Sequence, residues 1–193
     1  MNNCLQCNGQ AAYDFRVLEV HTLHVRDLTG EKRVQALGSF QNYAVCEECA
    51  ENYLVNTVNP VRPAAKRCII YIFLLLLGGV LTGIFAFTNG ALRLMGLAAI
   101  ICGMLGLISV IHTAMKRRAE YMALPKEKAL YLSAWECMLK AAPKKAGEND
   151  LTYIPVDSRT IEMKNGDLAI FYNLLPAVAI KAHQLIHETE PQQ

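Results

Sequence analysis

Two long uncharged segments constrain this 193-residue chain more than any other feature. Residues 68–87 read CIIYIFLLLLGGVLTGIFAF, and residues 94–115 read LMGLAAIICGMLGLISVIHTAM. Neither segment contains Asp, Glu, Lys or Arg. A helix of about 20 residues is about 30 Å long, which matches the hydrocarbon core of a bilayer. We therefore predict two transmembrane helices, and the alternative is a buried helical hairpin in a soluble protein.

The residues around the two segments predict their orientation. Residues 88–93 form a short turn containing Asn89-Gly90, so the helices must be antiparallel. Basic residues flank both segments on the side away from this turn. The juxtamembrane stretch 62–67 before the first segment contains Arg62, Lys66 and Arg67. The second segment is followed by Lys116, Arg117 and Arg118. The turn itself has only Arg93. Because cytoplasmic flanks are enriched in Lys and Arg, we expect a two-span protein of the cell (cytoplasmic) membrane, with an extracytoplasmic turn and both termini in the cytoplasm.

The composition of the spans favours an anchor over a transporter, because transport pathways normally need ionisable groups within the membrane. Gly79 and Gly83 form a GxxxG pattern, and Ala99 and Gly103 form a second pair of small residues at the same spacing. Such pairs let helices approach closely. We expect them to pack the two spans against each other, and self-association between protomers is the alternative.

Two Cys-x-x-Cys pairs, CLQC at 4–7 and CEEC at 46–49, are separated by 38 residues. Four thiolates at this spacing predict a tetrahedral, structural Zn²⁺ site with Cys4, Cys7, Cys46 and Cys49 as ligands. The reducing cytoplasm would keep them as thiols. A redox dithiol or an iron–sulfur cluster is the alternative, although a thioredoxin-like motif would need a βαβ pattern that the sequence lacks.

The context of the two pairs differs. Asn8-Gly9 after the first pair predicts a tight turn with backbone N–H groups facing sulfur, whereas the second pair runs into a predicted helix. The residues between the pairs are rich in β-formers. This order resembles the treble-clef class of zinc fingers, with the zinc ribbon as the close alternative. The resemblance covers about residues 4–58 and implies a small Cys4 domain over 1–61. We expect His21 and His24 to be polar strand positions.

Residues 116–193 predict a cytoplasmic α/β tail. Pro125 begins a helix over 126–141, in which Trp135 is expected to be a packing residue. Asn165-Gly166 predicts a β-hairpin in which 160–163 pair with 167–171, and a helix follows from about residue 173. The segment 151–188 is too short to hold a core alone. We therefore expect it to pack on the 126–141 helix or on the zinc module.

Together these features predict an α+β membrane protein. The chain has no recognisable catalytic motif, so we expect no enzymatic activity. Residues 1–61 contain four basic and seven acidic side chains, which argues against a nucleic-acid partner. The leading hypothesis is a membrane-anchored zinc-finger protein that acts as a binding or scaffold module at the cytoplasmic membrane face. Its partners would be the lipid bilayer and either another protein or a second copy of the chain. The alternative is a zinc- or redox-responsive sensor that uses the Cys4 site.

Overall fold

The computed structural model describes residues 3–27, 30–59, 61–84 and 90–188. The protein has the predicted α+β class. Its elements are β1 (Tyr13–Asp27), β2 (Gly30–Val45), α1 (Glu47–Val58), α2 (Val61–Ile84), α3 (Gly90–Met122), α4 (Lys126–Ala141), β3 (Lys145–Ala146), β4 (Asn149–Pro155), α5 (Ser158–Glu162), α6 (Asn165–Phe171) and α7 (Pro176–Glu188). The chain divides into two compact units. We call residues 1–50 with 134–193 the sheet unit, and residues 51–133 the helical unit.

The sheet unit is built on four antiparallel strands in the order β2-β1-β4-β3. The long strands β1 and β2 pair from Tyr13 opposite Val45 to Asp27 opposite Gly30. One irregularity interrupts this register between Leu18 and Val20 of β1. The β-branched and aromatic residues predicted to form strands therefore form one long ladder.

β4 joins this sheet from the other end of the sequence. It pairs with β1 from Val17 opposite Pro155 to Thr22 opposite Asp150. A tight turn at Gly147, whose φ of 63° is in the left-handed region, connects β3 to β4. The C-terminal segment thus shares a sheet with the residues between the cysteine pairs. Of the two predicted packing partners, the 126–141 helix and the N-terminal module, the strand pairing supports the second.

One face of the sheet carries the main core. Leu18 and Val20, two apart on β1, point to the same face, and Ile154 of β4 lies beside Leu18. α6, α7 and the residues that join them cover this face with apolar side chains that are buried: Leu168, Leu174, Val178, Ala179, Ala182 and Ile186. The spacing of the α7 residues gives that helix one apolar stripe.

The opposite face is aromatic. Phe15 meets Trp135 edge to face with ring centroids 5.4 Å apart, and Tyr43 meets Tyr153 in the same way at 5.6 Å. Such pairs add roughly 0.5–1.5 kcal/mol beyond the area they bury. The contact with Phe15 confirms the predicted packing role of Trp135.

The predicted β-hairpin around Asn165-Gly166 is wrong. Residues 158–162 form α5 and 165–171 form α6. Asp157 caps α5, because its Oδ1 accepts a hydrogen bond of 2.8 Å from the backbone N–H of Thr160. Burial of Leu168 then fixes α6 on the core. The following helix, predicted from about residue 173, is confirmed as α7.

The helical unit contains two helices, α2 and α3, that are long and apolar enough to cross a membrane. The predicted first span, 68–87, is helical to Ile84, and residues 85–89 lie outside the described part. α3 begins at Gly90, inside the predicted turn, and includes the predicted second span, 94–115. Its 33 residues correspond to about 50 Å. α3 is therefore longer than a hydrocarbon core, and its basic end at 116–118 can lie beyond it.

Glycines set the contact between α2 and α3. A Cβ added to Gly96 would lie 2.9 Å from the carbonyl oxygen of Gly78, so these two backbones touch. Gly103 likewise faces the side chain of Leu75. By contrast, a Cβ on Gly79 or Gly83 would meet nothing within 4 Å. The expectation that the GxxxG pattern packs the two spans together is therefore wrong, whereas Gly103 of the second pair does lie at the contact.

Candidate metal centre

The first cysteine pair lies on a tight turn. The backbone N–H of Cys4 donates to the Gly9 carbonyl at 2.8 Å, and the N–H of Asn8 donates to the Cys4 carbonyl at 2.8 Å. Asn8 has a φ of 60°, a conformation that Asn tolerates better than most residues. Gly9 donates its backbone N–H to the Cys7 sulfur at 3.4 Å. A side chain at Gly9 would start 3.3 Å from that sulfur, which explains the glycine.

The second pair lies at the start of α1. Cys46 directly precedes the helix, and its Sγ accepts a hydrogen bond of 3.4 Å from the backbone N–H of Cys49. Cys46 therefore acts as a sulfur N-cap, in the position where a side-chain oxygen usually serves. The positive end of the helix macrodipole favours negative charge on both sulfurs.

Backbone hydrogen bonds bring the turn to the helix. The N–H of Leu5 donates to the Ala44 carbonyl at 2.9 Å, and the N–H of Ala12 donates to the Val45 carbonyl at 3.0 Å. Both acceptors belong to the last residues of β2, immediately before Cys46. β2 therefore places the second cysteine pair beside the turn that contains the first pair.

The four predicted ligands converge. The Sγ atoms of Cys4, Cys7, Cys46 and Cys49 all lie within 4.8 Å of one another, and those of Cys7 and Cys46 are 3.5 Å apart. Sulfurs placed about 2.3 Å from a central tetrahedral Zn²⁺ are about 3.8 Å apart. All four cysteines are free of disulfides. The cluster can therefore hold a metal ion.

The protonation of the cluster also fits a cation. Burial raises the pKa of Cys4, but backbone N–H groups of Cys46, Gln6 and Cys7 outweigh burial and lower this pKa to about 6. Burial and the neighbouring cysteine side chains raise the pKa of Cys49. The N–H of Gly9 lowers the pKa of Cys7, whereas contacts with Cys46 and Cys4 raise it, and the pKa is raised overall. Four thiolates this close repel one another, and a bound cation removes that repulsion.

A fifth cysteine, Cys137, contacts the turn of the first pair. Sequence analysis predicted the helix over 126–141 that contains it, but not this contact. Cys137 of α4 is 3% exposed and donates its thiol to Gln6 Oε1 at 2.8 Å. Burial raises the pKa of Cys137, and the charges of Cys4 and Cys46 raise it further. Gln6 lies between Cys4 and Cys7, so this contact ties the turn of the first cysteine pair to α4. Because 131 residues separate Cys137 from Gln6, no local pattern predicts it.

The two histidines predicted as polar strand positions lie away from the cluster on β1. His21 Nε2 is 4.0 Å from Glu19 Oε2, and its ring packs close to Gly38. His24 lies between Glu31 and Asp150. Neither belongs to the cysteine cluster, the only group of three or more His, Cys, Asp or Glu side chains in the described residues that could hold a metal.

Comparisons with protein-family models, with curated proteins and with solved structures found no match to this chain.

Proposed function

We propose that this protein is a non-catalytic binding or scaffold module, stabilised by Zn²⁺ and anchored in a membrane by a helical hairpin. The observation that carries the proposal is the convergence of four cysteine sulfurs within 4.8 Å, in a chain that also has two helices able to cross a membrane. The cluster gives the small sheet unit a fixed fold. The hairpin gives that unit a location.

Zinc is the metal that best suits this ligand set. Four thiolates form a soft, closed set without an open position, which is typical of structural rather than catalytic zinc. The arrangement also supports the treble-clef class over the zinc ribbon, because the first pair lies on a turn and the second begins α1. In the ribbon, both pairs would lie on turns between strands. Metal identity is the part of this proposal that elemental analysis tests directly.

The basic flanks of the hairpin support a topology with both termini in the cytoplasm. Arg67 precedes the first span in α2, and Lys116, Arg117 and Arg118 follow the second in α3. Only Arg93 lies near the opposite end. This asymmetry matches the positive-inside rule. A membrane-impermeant protease added to intact cells should leave an N-terminal epitope uncut, and cleavage of that epitope would contradict this topology.

The edge of the sheet supports a protein partner. β2 is an edge strand of 16 residues, and among the described residues only β1 pairs with it. Val34, the fifth residue of β2, is 53% exposed. Long exposed edges accept extended segments of other chains. A nucleic acid is the poorer fit, because four bound thiolates would add two negative charges to an already acidic N-terminal segment.

The open face of α2 supports a second copy of the chain as a partner within the membrane. Gly79 and Gly83 form a shallow surface without a neighbour within 4 Å of either glycine's Cβ position. A helix from another protomer can approach such a surface closely. The two partner surfaces are independent, because one lies on the sheet and the other on the hairpin.

Site-specific crosslinking tests the binding role. A photoreactive amino acid at Val34 should capture a protein in native membranes, whereas the same group at Gln184, exposed on α7, should not. Metal content is measured on the same purified sample, with about one Zn²⁺ per chain expected. Zinc-loaded protein without a Val34 adduct would contradict the proposed edge interaction. Protein that has the sheet fold but no zinc would contradict the proposed metal.

The exposure of Cys7 supports a second candidate, the zinc- or redox-responsive sensor. Its sulfur is exposed and lies 3.5 Å from that of Cys46. A two-electron oxidant such as hydrogen peroxide could join these sulfurs in a disulfide, be reduced to water and release the metal. A sensor should lose zinc under mild peroxide and regain it after thiol reduction. A structural site should keep its zinc under the same treatment.

A further inference from the structure

The C-terminal helix carries a second pair of metal-ligating side chains that the cysteine cluster does not use. His183 and His187 lie four residues apart on α7, so both project from the same side of the helix. Their rings are tilted by 52° with centroids 4.3 Å apart, and the two Nε2 atoms are 3.1 Å apart. The two ring nitrogens are therefore close enough together to bind one ion.

The spacing of these nitrogens fits a chelated transition-metal ion. Metal–imidazole bonds are about 2.0–2.1 Å long, so nitrogens 3.1 Å apart would subtend an angle of about 100° at a shared metal. This value lies between the 90° of octahedral or square-planar coordination and the 109° of a tetrahedron. Imidazole suits Zn²⁺, Cu²⁺ and Ni²⁺. Paired histidines one turn apart on a helix are also the metal-binding half of known zinc motifs.

The surroundings leave room for such an ion. His187 is exposed and His183 is half-buried beside the apolar stripe of α7. In the metal-free pair, one Nε2–H donates to the other Nε2. Binding needs both Nε2 lone pairs, so the donor's proton moves to its Nδ1 and both rings stay neutral. Water or a ligand from a partner can then fill the other coordination positions.

We propose that His183 and His187 form an exchangeable site for a divalent transition-metal ion of the kind that imidazole prefers. The site is open and has two protein ligands, unlike the closed set of four cysteines. It is independent of the metal bound at the cysteine cluster. Because Ala179, Ala182 and Ile186 bury the neighbouring face of α7 in the core, an ion that spans one turn of α7 also stabilises the folded sheet unit.

Calorimetry on the full-length, untagged protein in detergent tests this site, with Ni²⁺ as the probe and the cysteine cluster already loaded with Zn²⁺. Ni²⁺ should bind at one site and raise the thermal midpoint of the sheet unit. X-ray absorption at the nickel edge should count two imidazole ligands. His183→Gln and His187→Gln should each weaken Ni²⁺ binding by more than the roughly 10- to 100-fold cost of losing an outer-shell partner.

Two control variants make the result specific. His187→Gln combined with Glu188→His keeps the number of histidines but places them five residues apart, where they cannot share an ion. This variant should bind Ni²⁺ as weakly as His187→Gln alone. His24→Gln removes another exposed imidazole, next to Glu31 and Asp150, and should leave binding unchanged. Loss of the Ni²⁺ site in His24→Gln, its retention in the spacing variant, or fewer than two imidazoles in the wild-type spectrum would overturn the proposal.

Discussion

The sheet unit and the helical unit are stabilised in different ways. The sheet unit joins strands over residues 13–45 to β3, β4 and α7 from the C-terminal part of the chain, around buried apolar side chains. The helical unit contains consecutive helices whose apolar side chains are mostly exposed, such as Phe73 at 63% and Ile84 at 65%. The sheet unit buries its apolar core within the protein, whereas α2 and α3 expose apolar side chains along helices that are long enough to cross a membrane.

This difference predicts that the two units respond to different changes. The sheet unit should depend on the metal cluster and on its core, whereas the helical unit should depend on glycine contacts between α2 and α3. Trp135 is the only tryptophan in the chain and lies in the sheet unit against Phe15. Its fluorescence therefore reports on the packing of Trp135 against Phe15 within the sheet unit.

The largest effect should follow from losing a cysteine ligand. Structural zinc binding contributes about 10–16 kcal/mol in small zinc-stabilised modules, and much of this energy is folding energy. Cys46→Ser should therefore unfold the sheet unit, shift Trp135 emission and remove bound zinc, while the α2–α3 helices keep their circular dichroism. Cys102→Ser, which changes an exposed cysteine of α3, is the matched control and should keep its zinc.

The opposite outcome would also be informative. If Cys46→Ser kept the full strand signal and the wild-type Trp135 emission, the cluster would not be needed for the fold. The sheet core of Leu18, Ile154 and Leu168 would then suffice by itself.

The four clustered cysteines and the two long apolar helices were predictable from sequence, because each is marked by a recognisable pattern. Two Cys-x-x-Cys pairs indicate which sulfurs can share an ion, and about 20 uncharged residues are enough for a helix that could cross a membrane. The prediction of a hairpin at Asn165-Gly166 was wrong because other interactions outweigh the local sequence pattern there. A type I′ turn needs positive φ at both residues, and here both lie in α6. The Asp157 cap and burial of Leu168 outweigh the local turn preference.

Other features depended on contacts that no local pattern contains. The pairing of β4 with β1 joins residues more than a hundred positions apart. The choice of Gly78 rather than Gly79 as the glycine of α2 at the helix contact depends on the rotation of α2 about its axis. A GxxxG pattern gives the spacing of small residues but not the direction in which they face.

The next largest effect should distinguish two aliphatic residues of α6 that differ strongly in burial. Leu168 is fully buried and Ile170 is 84% exposed. Leu168→Ala should lower the free energy of unfolding by about 2–5 kcal/mol, because it leaves a cavity in the core. Ile170→Ala should change that free energy by less than about 0.5 kcal/mol. Denaturant titrations followed by Trp135 fluorescence measure both, and equal costs would mean that α6 does not pack as described.

Two glycine variants, one at the α2–α3 contact and one away from it, test the helical unit in the same way. A Cβ on Gly96 would lie 2.6 Å from Thr82 Oγ1 and 2.9 Å from the Gly78 carbonyl, so Gly96→Ala forces α2 and α3 apart. We expect a cost of roughly 1–3 kcal/mol, as for other overpacked contacts, in mixed-detergent unfolding. Gly79→Ala has open space and should cost little. Trp135 emission should stay at the wild-type value in both variants. A shift in either would contradict the prediction that the two units respond to different changes.

The open face of α2 allows a smaller effect that involves self-association rather than folding. Replacing Gly79 and Gly83 with Leu fills the groove that a second helix would enter. Chemical crosslinking in membranes should then show at least tenfold weaker dimer formation, which corresponds to about 1.4 kcal/mol. Hairpin stability should be unchanged, since neither glycine touches α3. An unaffected dimer would assign self-association to another surface, such as the β2 edge.

The smallest effect is expected for Asn173→Gly. Asn173 lies between α6 and α7 and has a φ of 52°. Its side-chain Oδ1 accepts a hydrogen bond of 2.8 Å from Arg33 Nη1, and its carbonyl accepts one of 3.2 Å from Gln35 Nε2. Asn173→Gly loses the first bond, which is exposed, but gains a residue suited to positive φ, so we expect a change below about 0.5 kcal/mol. Asn173→Val keeps neither advantage and should cost roughly 1–2 kcal/mol. Unfolding of both variants is measured by Trp135 fluorescence. An equal loss of unfolding free energy in the two would show that the contact with Arg33, and not the left-handed backbone, holds α7 on the sheet.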